Sequence, residues 1–120
     1  MFAGGNTRRV LQARKVSNNL VKIGIIGLGG MGRAHVQYLT AGEVPDASLT
    51  AVCDASASKL AWAENELGDA VARFDSADNL FKSGAVDAVI ISTPHYFHPP
   101  LAIAALNHGL HVLVEKPAGV

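Results

Sequence analysis

The residues best suited to chemistry are a glycine-rich turn and one acid about 20 residues beyond it. In Gly27-Leu28-Gly29-Gly30-Met31-Gly32 the three glycines of a G-x-G-x-x-G pattern answer three different demands. Gly27 lets the chain turn sharply out of a strand, Gly29 has no Cβ to keep a pyrophosphate from the backbone, and Gly32 lets the following helix pack close. The helix start then offers free N–H groups and a partial positive charge to phosphates. The whole loop, with Leu28, Gly30 and Met31 between the three glycines, is therefore the candidate cofactor cradle. Asp54 stands 22 residues after Gly32, where an acid would hydrogen-bond the adenosine ribose. It would accept from both ribose hydroxyls of NAD and repel the 2′-phosphate of NADP, so NAD is the expected cofactor and NADP the less favoured one. Lys59, close to Asp54 in sequence, argues the other way. The plainer reading of Asp54 is a cap on the helix that follows. Nothing in the loop matches G-x-x-x-x-G-K-[ST], which excludes an ATP or GTP phosphate loop of that kind.

Such a turn needs a strand before it and a helix after it, and the flanking pattern supplies both. Val21–Ile26 is a β-branched run of the sort buried on both faces of a parallel sheet, and a helical pattern continues from the loop through Leu39. Turn residues at 42–46 precede a second strand, Leu49–Cys53. Ser56 to Leu67 reads as a helix with Ser56 as its N-cap and Gly68 past its end. A short third strand is expected at 70–74, then a helix opened by Asp75 or Ser76, and a fourth strand at Ala88–Ser92. His98-Pro99-Pro100 starts another helix, since proline suits a first turn, and Asn107-His108-Gly109 stops it before a fifth strand, His111–Val114. Short strands alternating with helices predict βαβ crossovers and a doubly wound parallel α/β sheet, Rossmann-like.

Length and composition agree with one such domain. The chain has 120 residues, 49% of them apolar and 17% charged, enough for a core and too apolar for general disorder. The formal net charge of zero hides a split: residues 1–22 carry Arg8, Arg9, Arg14, Lys15 and Lys22 and no acid, and the rest is acidic by five. The expected boundary leaves 1–20 as a basic, disordered extension and 21–120 as the nucleotide-binding body. Thr7-Arg8-Arg9-Val10-Leu11 faintly resembles a twin-arginine export signal, but Arg14 and Lys15 stand where its apolar region belongs; a basic presequence or a plain tail fits better. A single cysteine, Cys53, forms no intrachain disulfide and suits the reducing cytoplasm. The longest apolar runs, such as Ala88–Ile91, fall far short of the roughly 18–20 residues of a membrane helix, so no membrane partner is expected. With no basic stripe carrying interleaved aromatics, no nucleic-acid partner is expected either. His35, His95, His108 and His111 lack metal-ligand spacing and read as surface or helix-end residues, so no metal is expected. Cys53 reads as a small buried hydrophobe and Trp62 as a packing residue.

Two further motifs fall at the ends of the expected fourth and fifth strands. They are Ser92-Thr93-Pro94-His95-Tyr96-Phe97-His98 and the run from Gly109 to Glu115-Lys116-Pro117. With Ile25-Ile26 and the glycine loop, in that order, they resemble the N-terminal nucleotide-binding domain of the Gfo/Idh/MocA oxidoreductase family over residues 21–120. Glu-Lys-Pro after such a strand is distinctive of that family. The resemblance implies hydride transfer between NAD or NADP and a CH–OH group of a small sugar or polyol. It implies that Thr93 and Pro94 lie against the nicotinamide half with His98 near the same loop, and counts Ser92, Glu115 and Lys116 among the cofactor-binding residues. It puts Lys116 at the reacting carbon, as the catalytic residue, where a cation would stabilise a developing alkoxide. Without the family, Lys116 reads as a solvated strand-end charge.

The family pattern runs on into a second α/β domain with an Asp-x-x-x-His pair, the sugar pocket and the oligomer interface, which is absent from this sequence. The 120-residue chain alone is therefore expected to bind dinucleotide weakly and to turn nothing over, and to oligomerise only with that second domain. The alternatives are a non-catalytic nucleotide-binding or redox-sensing module, or a truncated remnant. A CoA-binding domain of similar fold is disfavoured by Asp54 and Glu115-Lys116-Pro117.

Overall fold

The structure, a computed structural model, describes residues 20–93 and 98–114. Strands and helices alternate along them: β1 (Val21–Ile26), α1 (Gly30–Thr40), β2 (Ala47–Cys53), α2 (Ala57–Leu67), β3 (Ala72–Phe74), α3 (Ala77–Lys82), β4 (Ala88–Ile91), α4 (His98–Asn107) and β5 (His111–Val114). The five strands are all parallel, in the order β3-β2-β1-β4-β5. This is the Rossmann-like arrangement that the alternation predicts.

Period-two packing splits the core into two layers, because successive strand residues point to opposite faces. On one face Ile25, Val52 and Ile90 meet Val36 and Leu39 of α1 and Ala63 of α2. On the other, Ile26, Ala51, Cys53, Val89 and Ile91 meet Leu80 and Phe81 of α3 and Ala105 of α4. Both faces are covered, which explains why these strands read as unbroken apolar runs. The register aligns their exits: Ile26 lies opposite Cys53 and Ile91, Cys53 opposite Phe74, and Ile91 opposite Val114. All five strands therefore end along one edge of the sheet.

Local signals set most helix limits. The Ser56 hydroxyl accepts from Lys59 N to start α2, Gly68 at φ +67° ends it, and the Ser76 hydroxyl accepts from Asn79 N to start α3. Three strand limits differ from expectation. β2 begins at Ala47, where Val21 gives it a partner. β3 begins only at Ala72, because Gly68–Ala70 coil into a 3-10 turn. β4 stops at Ile91; Ser92 N still donates to Ile26 O at 2.8 Å, and the chain then crosses over Gly27.

The surface reading of His35 is overturned. It is 5% exposed, on the inward stripe of α1 with Gly32, Val36 and Leu39, and its ring meets Tyr38 edge-on at 5.3 Å. His108 and His111 are exposed as expected, and His108 Nδ1 lies 2.9 Å from the Ala104 carbonyl at the end of α4. Among the described residues no group of three or more His, Cys, Asp or Glu side chains could hold a metal ion. Nor is any described helix long and apolar enough to cross a membrane.

Candidate functional site

The strand order reverses between β1 and β4: the chain first winds outward to β2 and β3, then returns to the other side of β1. The crossovers leave that point in opposite directions, so the helices diverge and a crevice opens above the strand ends. A cleft of about 630 Å³ lies there, lined from β1 by Ile26 and Gly27, from β2 by Cys53 and Asp54, and from β4 by Ser92 and Thr93.

The glycine loop forms one wall. Gly27 has φ +99°, and a Cβ there would come within 2.9 Å of Ser92 C and Thr93 N, so both its turn and its neighbours demand glycine. A Cβ at Gly32 would overlap the Gly27 carbonyl oxygen, which is how α1 starts so close to the strand end. Gly29 and Gly30 face the opposite situation: a Cβ at either would meet nothing within 4 Å, and both line the cleft. Gly29 is the N-cap of α1 and supplies no side-chain acceptor, whereas Ser56 and Ser76 cap α2 and α3. No acid stands in the first turn of α1. The N–H groups at this helix start are thus left for an outside acceptor.

Asp54 directly follows β2 and is half-buried. Its Oδ2 accepts from Leu28 N at 2.8 Å and its Oδ1 from Ser56 N at 2.9 Å. The ribose and cap readings therefore meet in one side chain: the acid braces the turn into α2 and the glycine loop together, and each oxygen keeps a further lone pair. The helix cap itself is Ser56.

Beside it, the Cys53 thiol is pushed up to about 12 from 9.0, by burial first and then by the carboxylates of Asp54 and Asp75. It stays protonated at neutral pH and is no nucleophile. Across the cleft, Ser92 Oγ is buried without a hydrogen-bond partner among the described residues. A polar atom left so in a site wall is one that a ligand can satisfy.

The loop, Asp54, Ser92 and Thr93 are thus brought together around one cleft. Met31 lines it and is 49% exposed. The Leu28 side chain, at 0% exposure, belongs to the core, so only its backbone is available to the site. His98 begins α4. Pro94, Glu115 and Lys116 lie outside the described residues, as does the chain through Asn19. Sequence reasoning missed Asp75 and Leu101, which also line the cleft, as does Lys59. Asp75 follows the last residue of β3 as Asp54 follows β2, so strand-end position was the available signal; Leu101 arrives on α4 through tertiary packing alone.

Known proteins share this arrangement. A glycosyl hydrolase family 109 protein of Solibacter usitatus (strain Ellin6076) is 38% identical over 111 residues, covering 84% of this chain and 25% of that one. Inositol 2-dehydrogenase 1 of Saccharopolyspora erythraea is 38% identical over 97 residues, covering 81% and 28%. The solved structure of scyllo-inositol dehydrogenase from Lactobacillus casei, with bound cofactor NAD(H) and scyllo-inositol, superposes with a TM-score of 0.75 at 38% identity, covering 84% and 29%. The chain spans about a quarter of the length of these relatives. Residues 21–120 match the model of the oxidoreductase family with an NAD-binding Rossmann fold, GFO_IDH_MocA. With the parallel sheet, glycine loop and strand-end acid described above, that match shows that the chain belongs to the Gfo/Idh/MocA oxidoreductase family as its NAD-binding Rossmann domain.

Proposed function

We propose that this chain is the dinucleotide-binding part of an enzyme that moves a hydride between NAD and a CH–OH group of a sugar or polyol. The observation that carries the reading is Asp54: a carboxylate held by two backbone N–H groups at the end of β2, beside a glycine loop with open space around Gly29 and Gly30. Those features, with the uncapped start of α1 and a Ser92 Oγ that has no partner among the described residues, fit a nicotinamide dinucleotide. When bound, that group supplies the hydride acceptor.

The chain's own residues would do the rest. The loop and the start of α1 would hold the pyrophosphate, since N–H groups and the positive end of a helix favour anions. Asp54 would orient the ribose through its remaining lone pairs, and its charge disfavours a 2′-phosphate. Ser92, Thr93, Pro94 and His98 would flank the nicotinamide half, with Glu115 near it. Lys116 comes two residues after β5 in sequence, and β5 itself ends on the sheet edge where Val114 pairs with Ile91. There an ammonium group beside the substrate oxygen would lower the cost of an alkoxide. Two relatives of equal identity carry different names, a dehydrogenase and a glycosyl hydrolase family protein; the reading therefore extends to sugars and cyclitols as a class. The body of this unit is residues 21–120, the span of the family match, with 1–20 an extension outside it. One buried cysteine suits a cytoplasmic setting.

Calorimetric titration tests the cofactor. NAD is expected to bind more tightly than NADP, and Asp54→Asn should erase most of that difference. Tighter binding of NADP by the unaltered chain would show that Lys59, not Asp54, governs the ribose end.

A further inference from the structure

Arg33 is half-buried in the first turn of α1 and is absent from the cleft lining, yet it is bound to the loop that forms the cleft wall. Its Nε–H donates to the Leu28 carbonyl at 3.0 Å, and its guanidinium sits 4.5 Å from the centre of the Trp62 ring on α2. Leu28 N, in turn, donates to Asp54. The backbone of Leu28 is thus held from two directions, its N–H by the acid after β2 and its carbonyl by Arg33.

The consequence follows from peptide geometry. In a trans peptide the carbonyl of one residue and the N–H of the next point in opposite directions. Holding the Leu28 carbonyl toward Arg33 therefore holds the Gly29 N–H on the other side, and Gly29 lines the cleft. Glycine makes the reverse orientation sterically cheap. A flipped Leu28–Gly29 peptide would turn a carbonyl oxygen toward the place where an anion binds. A loop rich in glycine for close approach thus needs something else to fix its peptide planes.

We propose that Arg33 is a positioning residue for the dinucleotide site, locking the Leu28–Gly29 peptide with Trp62 as its platform. The proposal rests on the dinucleotide reading of the cleft. Lysine would not replace it: an ammonium keeps the charge but lacks both the Nε–H and the flat face that stacks on indole.

The test uses the full chain, unaltered and as Arg33→Lys, Arg33→Met and Trp62→Phe. Two probes are titrated: ADP-ribose, which carries a pyrophosphate, and adenosine, which reaches Asp54 without one. Trp62 is the sole tryptophan, so its emission reports the Arg33 contact directly. Arg33→Lys and Arg33→Met should both weaken ADP-ribose binding about tenfold, the scale of one charge-assisted hydrogen bond. Adenosine affinity should hold, the thermal midpoint should fall by only a few degrees, the Trp62 emission should shift in both, and Trp62→Phe should lose less. Unchanged ADP-ribose binding in Arg33→Lys would reduce the role to charge and overturn the proposal. Equal losses for both probes would reduce it to fold stability and overturn it too. If the unaltered chain binds no ADP-ribose, the dinucleotide reading itself fails, a result separate from any effect of the variants.

Discussion

Two oxygens of one carboxylate brace the site, which makes Asp54 both a ligand group and a structural one. Replacing it with asparagine removes the charge and leaves an amide NH2 facing a backbone N–H, either Leu28 or Ser56. We expect Asp54→Asn to cost about 1–2 kcal/mol in urea unfolding, from one lost hydrogen bond to a charged acceptor, besides its effect on cofactor choice. The neighbouring Cys53 makes a separate prediction. Its thiol is 3% exposed and its folded value of about 12 lies above the ordinary 9.0. The folded chain thus keeps the proton after an unfolded chain would lose it. The stability associated with the neutral thiol is whole below pH 9.0 and declines as pH climbs toward about 12. Cys53→Ala should flatten that alkaline decline, and thiol reagents should label the native chain far more slowly than the unfolded one. An equal labelling rate for both would contradict the burial. The acid was legible from its distance to the glycines, and the thiol's character as a small hydrophobe from its place inside an expected buried strand. That the acid grips the loop itself was not, because Leu28 and Asp54 are 26 residues apart and only the fold joins them.

Elements depend on short signals that act locally. Ser56 caps α2, and Ser56→Ala should cost about 1 kcal/mol, measured as a lower urea midpoint with an unchanged slope. The start of α1 depends on a contact instead. A methyl at Gly32 has no room beside the Gly27 carbonyl, so Gly32→Ala should displace α1 and destabilise by about 1–3 kcal/mol, the range for overpacking. It should also weaken cofactor binding by more than its stability loss accounts for, because the moved helix start carries the phosphate-facing N–H groups. Binding that survives intact would mean that the loop, not the helix, holds the phosphates. Caps and glycine stops are readable because they involve residues a few positions apart. Strand limits are less so: β2 begins at Ala47 because Val21 lies beside it, and β3 waits for Ala72 because a turn intervenes. A strand ends where its neighbour ends, and the neighbour is distant in sequence.

At the scale of the molecule, two apolar layers and a switch in strand order put every strand exit on one edge, with the cleft above β1 and β4. A ligand bound only by the folded state stabilises that whole arrangement by mass action. NAD at a hundred times its Kd should add about 2.7 kcal/mol and raise the thermal midpoint by several degrees, with NADP at the same concentration giving a smaller rise. No shift with either would argue that the cleft does not hold a dinucleotide.

The residues by themselves determined the alternation of strand and helix, the glycine turn, the acid after β2 and the family those motifs resemble. The first three rest on periodicity and spacing, which local sterics and hydrogen bonding enforce; the resemblance rests on the motifs themselves. Tertiary structure alone decided that His35 is buried, that Lys59 and Leu101 share the cleft, and that Arg33 reaches back over Trp62 to hold a carbonyl five residues behind it. Those facts follow from how crossovers stack helices on a sheet. Side chains far apart in sequence are then juxtaposed by burial of apolar surface, which carries no record of sequence separation.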